Sequence, residues 1–403
     1  MDFQLTEEQR AVRSLARDFS LKELVPYAEE WEGEAVFHRE IVEKMGAQGL
    51  YGCAFPEDVG GNGMGLLAQV IIIDETTRHC LEAGYTFNVQ AMVVPLSVYN
   101  WGNDEQTRAF VPKLLAGQMV GCISLTEPDC GSDSVAIKTR AMRDGDDYII
   151  NGTKMWATYG TVADLILLVT KTQPELGAKG ASTFLVQTKG LKGFSAAKIP
   201  SAIGSKCVPS AELIFDNCRV PASWRLNEEG AGFKVIFNSL DYGRITVPAR
   251  AVGIAQQALD RSIQYANERM AFGQEIGRFQ MIQHLVADMV VDVEAARIMV
   301  YRAADLADKG QPFTREASQG KYFATEAAVR VTSKAMELYG GYAFADEYPV
   351  HRLLMAARVM HTGEGSANIQ RILIAEDALG YKKMTRHAIK PKFALATVDS
   401  ATT

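Results

Sequence analysis

The feature of this chain that most constrains its fold is a change in hydrophobic period along the sequence. Over residues 6–117, apolar residues recur at three- and four-residue intervals, and "LTEEQRAVRSLARDF" opens with the spacing of a capping box. Over residues 120–226, the apolar runs are short and are separated by glycine, asparagine and proline. After "NEEGAGF" the helical period returns and continues to a helix stop at Gly340-Gly341. The sequence therefore predicts an α+β protein in which two helical regions flank a middle β region.

This pattern divides the 403 residues into three predicted domains and a tail. The predicted segments are an N-terminal α-helical domain at 1–119, a middle β domain at 120–230, a C-terminal α-helical domain at 231–388 and a loose tail at 389–403. Within the middle domain, strands are predicted for the runs "DDYIING", "ADLILLVTK", "ASTFLVQT" and "SAELIFDNCRVP".

Charge and composition argue against several classes of function. The net charge of −6 and the pI near 5.7 give no reason to expect a nucleic acid or an anionic membrane as partner. No apolar run reaches the roughly 20 residues needed for membrane insertion, and "MDFQLTEEQR" lacks a signal-peptide pattern. The six cysteines form no CxxC pair, so neither a metal site nor a disulfide framework is expected. A cytoplasmic protein is predicted.

Six motifs follow one another in an order and spacing that resemble those of the flavin-dependent acyl-CoA dehydrogenases. They are "LTEPDCGSD" (125–133), "NGTKMWATYG" (151–160), "LDYGR" (240–244), "ERMAFGQEIGRFQ" (268–280), "ELYGGYAFADEYPVHR" (337–352) and "GEGSANIQR" (363–371). The resemblance covers nearly the whole chain. It implies the acyl-CoA dehydrogenase-like fold, with an N-terminal helical domain, a middle β-barrel-like or sandwich domain and a C-terminal four-helix bundle. It also implies FAD as cofactor.

The resemblance implies that Glu364 is the catalytic base. Forming a double bond next to a thioester requires removal of a weakly acidic α-proton, while the β-hydrogen leaves as hydride to flavin N5. A partly desolvated carboxylate can take that proton, and the glycines at 363 and 365 let backbone and substrate approach closely. Some similar enzymes carry the base at the position of Gly243, where this chain has no side chain. The alternative is that Glu364 only complements the macrodipole of the following helix.

The resemblance also implies a set of cofactor contacts. Around the isoalloxazine they are Leu125, Thr126, Trp156, Thr158, Ser366 and Asn368. Around the pyrophosphate and adenosine they are Arg269, Phe272, Gln280, Glu337, Gly340 and Gly341. A guanidinium suits a diphosphate because it donates in a planar fork. As alternatives, Trp156 packs in the core and the two glycines serve only to end a helix. Glu337 stands at a position where the family often has glutamine, which weakens the assignment of a side-chain contact there. Because the segment around Arg269 serves a neighbouring subunit's FAD in this family, a homotetramer is expected.

Substrate contacts follow from the same resemblance. They are Ser132, Asp241, Arg244, Gly363 and Gly365. As alternatives, Ser132 belongs to a turn and Asp241–Arg244 is an ordinary i,i+3 ion pair. Gly363 stands where straight-chain enzymes often have tyrosine, which favours a branched, alicyclic or aryl-substituted acyl group. Residues 83–95 are predicted to line the acyl pocket.

The function predicted from these residues is α,β-dehydrogenation of an acyl-CoA, with electrons passed to electron-transfer flavoprotein. Residues 83–95 resemble glutaryl-CoA dehydrogenases but lack their carboxylate-binding arginine, since Tyr85, Thr86 and Phe87 occupy that neighbourhood. Glutarate is therefore disfavoured, although a benzylsuccinyl-type substrate stays a candidate because its carboxylate could be bound elsewhere. Three alternatives are an enoyl-CoA reductase running the reverse reaction, an acyl-CoA oxidase and a non-catalytic flavin-binding interaction protein. Glu364 argues against the last of these.

Overall fold

The N-terminal region is helical, as predicted. The computed structural model describes residues 4–200 and 204–382, and no helix within them is long and apolar enough to cross a membrane. The α-helices of this region are α1 (Glu7–Phe19), α2 (Ala28–Glu34), α3 (Arg39–Ala47), α4 (Leu66–His79), α5 (Leu81–Phe87), α6 (Val94–Trp101) and α7 (Asp104–Leu115). Thr6 and Gln9 form the predicted capping box of α1. Between α5 and α6, Asn88–Val93 winds as a π-helix, a form found often at functional sites.

The middle region is one mixed sheet that folds around its own core. Its strands are β1 (Gly121–Ser124), β2 (Arg140–Asp144), β3 (Asp147–Thr158), β4 (Leu165–Lys171), β5 (Ala181–Gln187), β6 (Phe194–Lys198), β7 (Ser210–Pro221) and β8 (Arg225–Leu226). The strand order is β6-β7-β3-β2-β4-β5-β8, and β1 pairs with β4 in parallel. Side chains from distant strands, among them Tyr148, Phe184 and Phe215, share one buried cluster. The sheet therefore curves, which agrees with the predicted barrel-like or sandwich domain.

The C-terminal region is the predicted helical bundle. Its elements are α8 (Gly232–Glu268), a hairpin of β9 (Met270–Ala271) and β10 (Gln274–Glu275), α9 (Gln280–Asp308), α10 (Thr314–Tyr339), α11 (Val350–Thr362) and α12 (Ala367–Ala378). Helix α10 packs against α8, α9 and α11, and α12 lies against α10. The predicted stop at Gly340-Gly341 is confirmed, because α10 ends at Tyr339 and Gly340 has a φ of +58°. Residues 389–403, predicted as a tail, lie outside the described residues.

The N-terminal helices and the bundle are joined by close packing and by buried polar contacts. Helix α4 crosses α8 at Gly253, where a Cβ atom would lie 2.6 Å from the Asp74 carbonyl oxygen. The Asp308 carboxylate accepts hydrogen bonds from the first two amides of α4, at 2.6 and 2.8 Å. Arg297 Nε donates to Asp74 Oδ2 at 2.9 Å. These contacts fix α4 against the bundle, and residues 81–93 follow it directly in the chain.

Candidate active site

Glu364 lies in the short loop that joins α11 to α12. Its φ is +57°, a conformation that costs a non-glycine residue about 1–3 kcal/mol and is found most often at functional sites. Gly365 also has a positive φ, +85°, and a Cβ atom there would lie 2.9 Å from Gln370 Nε2, so the turn requires glycine. Gly363 has an ordinary φ of −67°, and a Cβ atom there would meet only Val359 O, at 3.9 Å. The turn therefore does not require glycine at 363.

The two oxygens of the Glu364 carboxylate have different environments. Asn88 Nδ2 donates to Oε1 at 2.8 Å. Oε2 is buried and has no hydrogen-bond partner among the described residues. Burial raises the pKa of Glu364, and it is opposed by the Asn88 hydrogen bond and then by the charges of Lys321, Arg244 and Arg250. A carboxylate with a raised pKa and one free oxygen can accept a proton.

A buried lysine holds the loop that carries Glu364. Lys321 lies on α10, and its Nζ donates to Gly365 O at 2.7 Å and to His361 O at 3.4 Å. Its side chain is fully buried, and this burial lowers the pKa of Lys321 to about 8, although the Glu364 carboxylate opposes the shift. From the same helix, Glu326 Oε1 contacts His361 Nε2 at 3.0 Å. Helix α10 thus holds the strained loop and the helix end that precedes it.

Helix α8 passes directly beside the Glu364 carboxylate. A Cβ atom built on Gly243 would lie 2.7 Å from Glu364 Oε2. The two positions at which similar enzymes carry their base are therefore adjacent in space. Arg244 Nη1 donates to Asp241 Oδ1 at 2.8 Å, so the i,i+3 ion pair considered above is present. Both of its side chains are largely buried, and the Arg244 charge lowers the pKa of Glu364.

Trp156 is an exposed aromatic wall rather than a core residue. It lies where the register of β3 against β7 is interrupted, between Lys154 and Ala157. Its φ is +60° and its side chain is 57% exposed. Core packing is thereby excluded for this tryptophan, and a planar ring can stack on the indole. Thr158 is the last residue of β3 and is partly buried.

The segment that follows β1 is bonded to the same part of β3. Lys154 Nζ donates to Leu125 O at 3.0 Å, and Met155 N donates to Thr126 O at 2.9 Å. Lys154 is completely buried and also pairs with Glu127 at 2.8 Å. The structure therefore brings Leu125 and Thr126 close to Trp156, as the flavin assignment requires.

A third group of predicted residues surrounds an open, largely apolar cavity of about 830 Å³. Arg269, Phe272 and Gly341 all line it. Phe272 is 96% exposed at the tip of the β9–β10 hairpin, and the Arg269 guanidinium lies 5.1 Å from the centre of the Tyr342 ring. An apolar cavity with a cation at its wall fits an adenosine and its pyrophosphate.

The other predicted residues are placed at helix ends or on the surface. Ser366 is the N-cap of α12 and accepts a hydrogen bond from the backbone, and Asn368 is exposed on the first turn. Gln280 is the exposed first residue of α9, and Glu337 is exposed on the last turn of α10. Ser132 is exposed in the loop that precedes a short 3₁₀ helix. The cofactor and substrate roles of these five residues stay predictions.

Three residues around Glu364 were missed by the sequence interpretation. Asn88 lies within the predicted pocket segment 83–95, but nothing in the sequence indicates that its amide faces Glu364. Lys321 and Arg250 are cations at positions where the residues three and four places away are small or apolar. A cation in such a position is rarely buried without a role. The helical periodicity of α8 and α10 could therefore have indicated both residues.

A separate polar cluster lies between α2, α5 and the loop before β7. Glu32, Glu82 and Cys207 place ligand atoms within 4.8 Å of one another, and they are the one such group found among the described residues. The Glu32 carboxylate already accepts hydrogen bonds from Ser205 Oγ and Lys206 N, at 3.0 and 2.8 Å. All six cysteines are free thiols. The cluster is thus a bonded polar network within the fold.

The exposed indole on the β sheet, the apolar cavity with a cation at its wall in the C-terminal region and the Glu364 carboxylate fit a flavin-dependent oxidoreductase. Three sequence profiles identify which kind. They are the acyl-CoA dehydrogenase N-terminal domain over residues 6–118, the middle domain over 122–218 and the C-terminal domain over 230–379. The chain belongs to the acyl-CoA dehydrogenase family, whose cofactor is FAD.

Known proteins similar to this chain cover almost its whole length. The acryloyl-CoA reductase (NADH) of Anaerotignum propionicum is 40% identical over 381 residues, which are 94% of this chain and 96% of that protein. A structure from a study of the electron-transferring flavoprotein of Acidaminococcus fermentans is 37% identical, with a TM-score of 0.91 over 94% of this chain and 100% of that one. A glutaryl-coenzyme A dehydrogenase in complex with glutaryl-CoA is 35% identical, with a TM-score of 0.92 over 96% and 98%.

Proposed function

We propose that this protein removes the α- and β-hydrogens of an acyl-CoA thioester to form the 2-enoyl-CoA, with Glu364 as the α-proton base. The environment of the Glu364 carboxylate carries the proposal. Asn88 binds one oxygen at 2.8 Å, while the other oxygen is buried and without a partner among the described residues. Burial raises the pKa of this carboxyl, which makes it a stronger base toward a weakly acidic proton.

The residues that face the cofactor and the thioester fit the same reaction. Bound FAD supplies the acceptor at flavin N5 for the β-hydrogen that leaves as hydride. Trp156 presents an exposed ring face, and Arg269 and Phe272 stand at the cavity assigned to the pyrophosphate and adenosine. Asp241 and Arg244, which are paired at 2.8 Å beside Glu364, would contact the thioester and its coenzyme A portion.

The space beside Glu364 supports a bulky acyl group. Gly363 is not required by its backbone conformation, and the position that its Cβ atom would occupy is open. A branched, alicyclic or aryl-substituted acyl group can use that space, whereas a tyrosine at 363 would fill it. The π-helical turn Asn88–Val93 supplies Asn88 to the same site.

Electron-transfer flavoprotein is the proposed electron acceptor, and a homotetramer is the proposed assembly. The electron acceptor is supported by the similarity to a chain from the structural study of that flavoprotein in Acidaminococcus fermentans.

The homotetramer is supported by large apolar side chains that are exposed on α9 and around the hairpin: Met270, Phe272, Met281, Val290, Val291 and Phe344. Exposed apolar surface of this extent is typical of a protein interface.

Reduction of an enoyl-CoA is the second candidate function. One observation favours it, namely the 40% identity to an acryloyl-CoA reductase. The same carboxylate would then deliver the α-proton instead of removing it. The two directions are distinguished by comparing the oxidation of acyl-CoAs by ferrocenium with the reduction of enoyl-CoAs by reduced flavoprotein or NADH. An oxidase would consume oxygen without any added acceptor.

The test is Glu364→Gln in the FAD-loaded protein, followed by stopped-flow absorbance after acyl-CoA is added. Gln keeps the shape of the side chain but cannot accept the proton, so flavin reduction should slow by about 10²–10⁴-fold or more. Substrate should still perturb the flavin spectrum, because binding does not need the base. The matched control is Glu326→Gln, which removes a carboxylate that contacts His361, just before the same loop. Reduction of the Glu364→Gln flavin at the wild-type rate would refute the assignment.

A further inference from the structure

Arg250 is a buried cation that the proposed reaction does not use. It lies on α8, and the residue is only 7% exposed. Its Nε contacts Met360 Sδ at 2.9 Å, its Nη1 donates to Tyr85 O at a long 3.5 Å, and its guanidinium lies 4.4 Å from the centre of the Tyr85 ring. No carboxylate of the described residues forms an ion pair with it, although the charge of Glu364 opposes the lowering of the Arg250 pKa by burial. Two neutral acceptors and a ring face are fewer contacts than the five N–H donors of a guanidinium can make.

Two partly buried arginines of this chain are paired with carboxylates, whereas the partly buried Arg261 has no ion pair among the described residues. Arg244 meets Asp241 at 2.8 Å, and Arg297 meets Asp74 at 2.9 Å. Arg250 is buried, unlike a cation on the surface, and yet no carboxylate of the described residues forms an ion pair with it. A buried charge without an ion-pair partner is unfavourable, and the anion of a ligand can supply that partner.

Tyr159 adds a second donor without a partner. Its side chain is 1% exposed, and its Oη has no hydrogen-bond partner among the residues described. Burial raises the pKa of this phenol well above its ordinary value, and the charge of Arg250 opposes that shift, which places the two groups within electrostatic reach of each other. Tyr159 is therefore a neutral donor beside a cation. An anionic acceptor could satisfy both groups at once.

Three separate elements place Arg250 close to Glu364. On residues 81–93, Tyr85 contacts Arg250 and Asn88 contacts Glu364, three residues further on. At the end of α11, Met360 contacts Arg250 and precedes Glu364 by four residues.

The third element is α8 itself, where Gly243 lies against Glu364 and Arg250 follows it by seven residues on the same helix face. These separations are one to two helical turns, about 5–10 Å. Helical side chains also lean toward the helix N-terminus, which brings the guanidinium back toward Gly243. In glutaryl-CoA, three single bonds of about 1.5 Å lead from the β-carbon to an oxygen of the free carboxylate, which extends about 4 Å beyond the reacting carbons.

We propose that Arg250, assisted by Tyr159, binds a free carboxylate on the acyl group, so that the substrate is the CoA monothioester of a dicarboxylic acid. This inference rests on the proposed function, because it takes Glu364 as the mark of the reacting carbons. The guanidinium offers the carboxylate two parallel donors, and the Tyr159 hydroxyl adds a third. Residues 83–95 contain no arginine, but α8 supplies one to the face of Tyr85.

The test measures binding apart from chemistry. FAD-loaded Glu364→Gln protein is titrated with glutaryl-CoA, 2-methylsuccinyl-CoA and 2-benzylsuccinyl-CoA, and with the terminal carboxamide of each, and Kd is obtained by calorimetry. At least one acid should bind about 100-fold more tightly than its carboxamide, as expected for charge-assisted hydrogen bonds. Adding Arg250→Gln should abolish that preference and leave carboxamide binding within about threefold, and Tyr159→Phe should reduce the preference.

The matched control is Arg261→Gln, which removes another largely buried arginine from α8, eleven residues further on. It should leave the preference for the acid unchanged. Equal binding of every acid and its carboxamide would overturn the proposal, and that comparison needs no variant at position 250. An equal loss of both ligands in Arg250→Gln would overturn it as well, because it would make Arg250 a packing residue. Failure of the proposed function looks different: the flavin of the unaltered protein would stay oxidised with every acyl-CoA, whatever the binding preference.

Discussion

Lys321 offers a sharp test of how the active-site loop is held, through the variant Lys321→Met. Methionine fills nearly the same volume but removes the Nζ donor that lies 2.7 Å from Gly365 O and 3.4 Å from His361 O. It also removes a cation that lowers the pKa of the Glu364 carboxyl. The loop should then lose its support while the hydrophobic core keeps its packing.

The expected size of the effect follows from the bonds that are lost. A hydrogen bond from a charged donor contributes about 1.5–3 kcal/mol, and each 1.4 kcal/mol is a factor of about ten, so kcat/KM should fall roughly 10–150-fold. Without the cation, the pKa of Glu364 rises further, and the acid limb of the pH profile should move to higher pH. Lys321 itself has a pKa lowered to about 8, so wild-type kcat should rise as the pH passes that value, since deprotonation removes the cation and strengthens the base. This step should be absent from the variant.

The assay is flavin reduction in stopped flow across pH 6–9.5, roughly the range set by these groups. Lys321→Gln separates the effect of the hydrogen bonds from the effect of the charge, because the glutamine amide can still donate but carries no charge. Compared with Lys321→Met, it should regain part of the rate, while the acid limb of its pH profile should stay at the higher pH. Lys334→Met is the matched control, since Lys334 lies on the same helix and pairs with Asp288 at 2.7 Å, away from the loop. A Lys321→Met protein with wild-type rate, pH profile and melting temperature would refute the reasoning.

Three further predictions concern neighbouring sites. The double variant Gly243→Glu with Glu364→Gly should recover part of the flavin reduction that is lost in Glu364→Gly alone. The single variant Gly243→Glu should be inactive, because the new Cβ atom would lie 2.7 Å from Glu364 Oε2. Stopped-flow measurement of flavin reduction in each protein checks both expectations. Arg269→Ala should lose FAD on gel filtration while its circular dichroism is unchanged, and retention of full flavin would contradict the cofactor assignment. Gly363→Tyr should fold normally, because the φ of −67° suits any residue, but should lose activity on branched or aryl acyl-CoAs more than on straight-chain ones. Equal losses on both would show that Gly363 has no part in selectivity.

Much of the fold could be predicted because its signals are local. The four strands proposed from alternating or apolar runs correspond to β3, β4, β5 and β7, and the capping box at Thr6 and the stop at Gly340 lie where the sequence places them. The short strands β1, β2, β6 and β8 were not identified, because two to five residues carry too little periodicity. Their positions depend on pairing with distant partners.

The candidate site was predictable to the extent that it depends on unusual local sequence. Glu364 between two glycines is such a case, whereas Trp156 was assigned from the family resemblance of its flanking motif, and the structure shows that an interruption of β3 exposes it. Asn88 and Arg250 could not be identified in this way, because each acts across elements that are remote in sequence. Sequence alone therefore pointed to the absence of an arginine near Tyr85, while the fold brings Arg250 within 4.4 Å of its ring.

The arrangement around Glu364 also explains why a carboxylate is tolerated in so strained a loop. A positive φ at a glutamate is unfavourable, and so is the burial of its carboxylate. Lys321 offsets both, since it bonds the carbonyls on either side and supplies a nearby positive charge. Gly243 leaves room for the carboxylate on the opposite side. The strain is thus held by the fold before substrate arrives, and the free oxygen of Glu364 does not have to be ordered during the reaction.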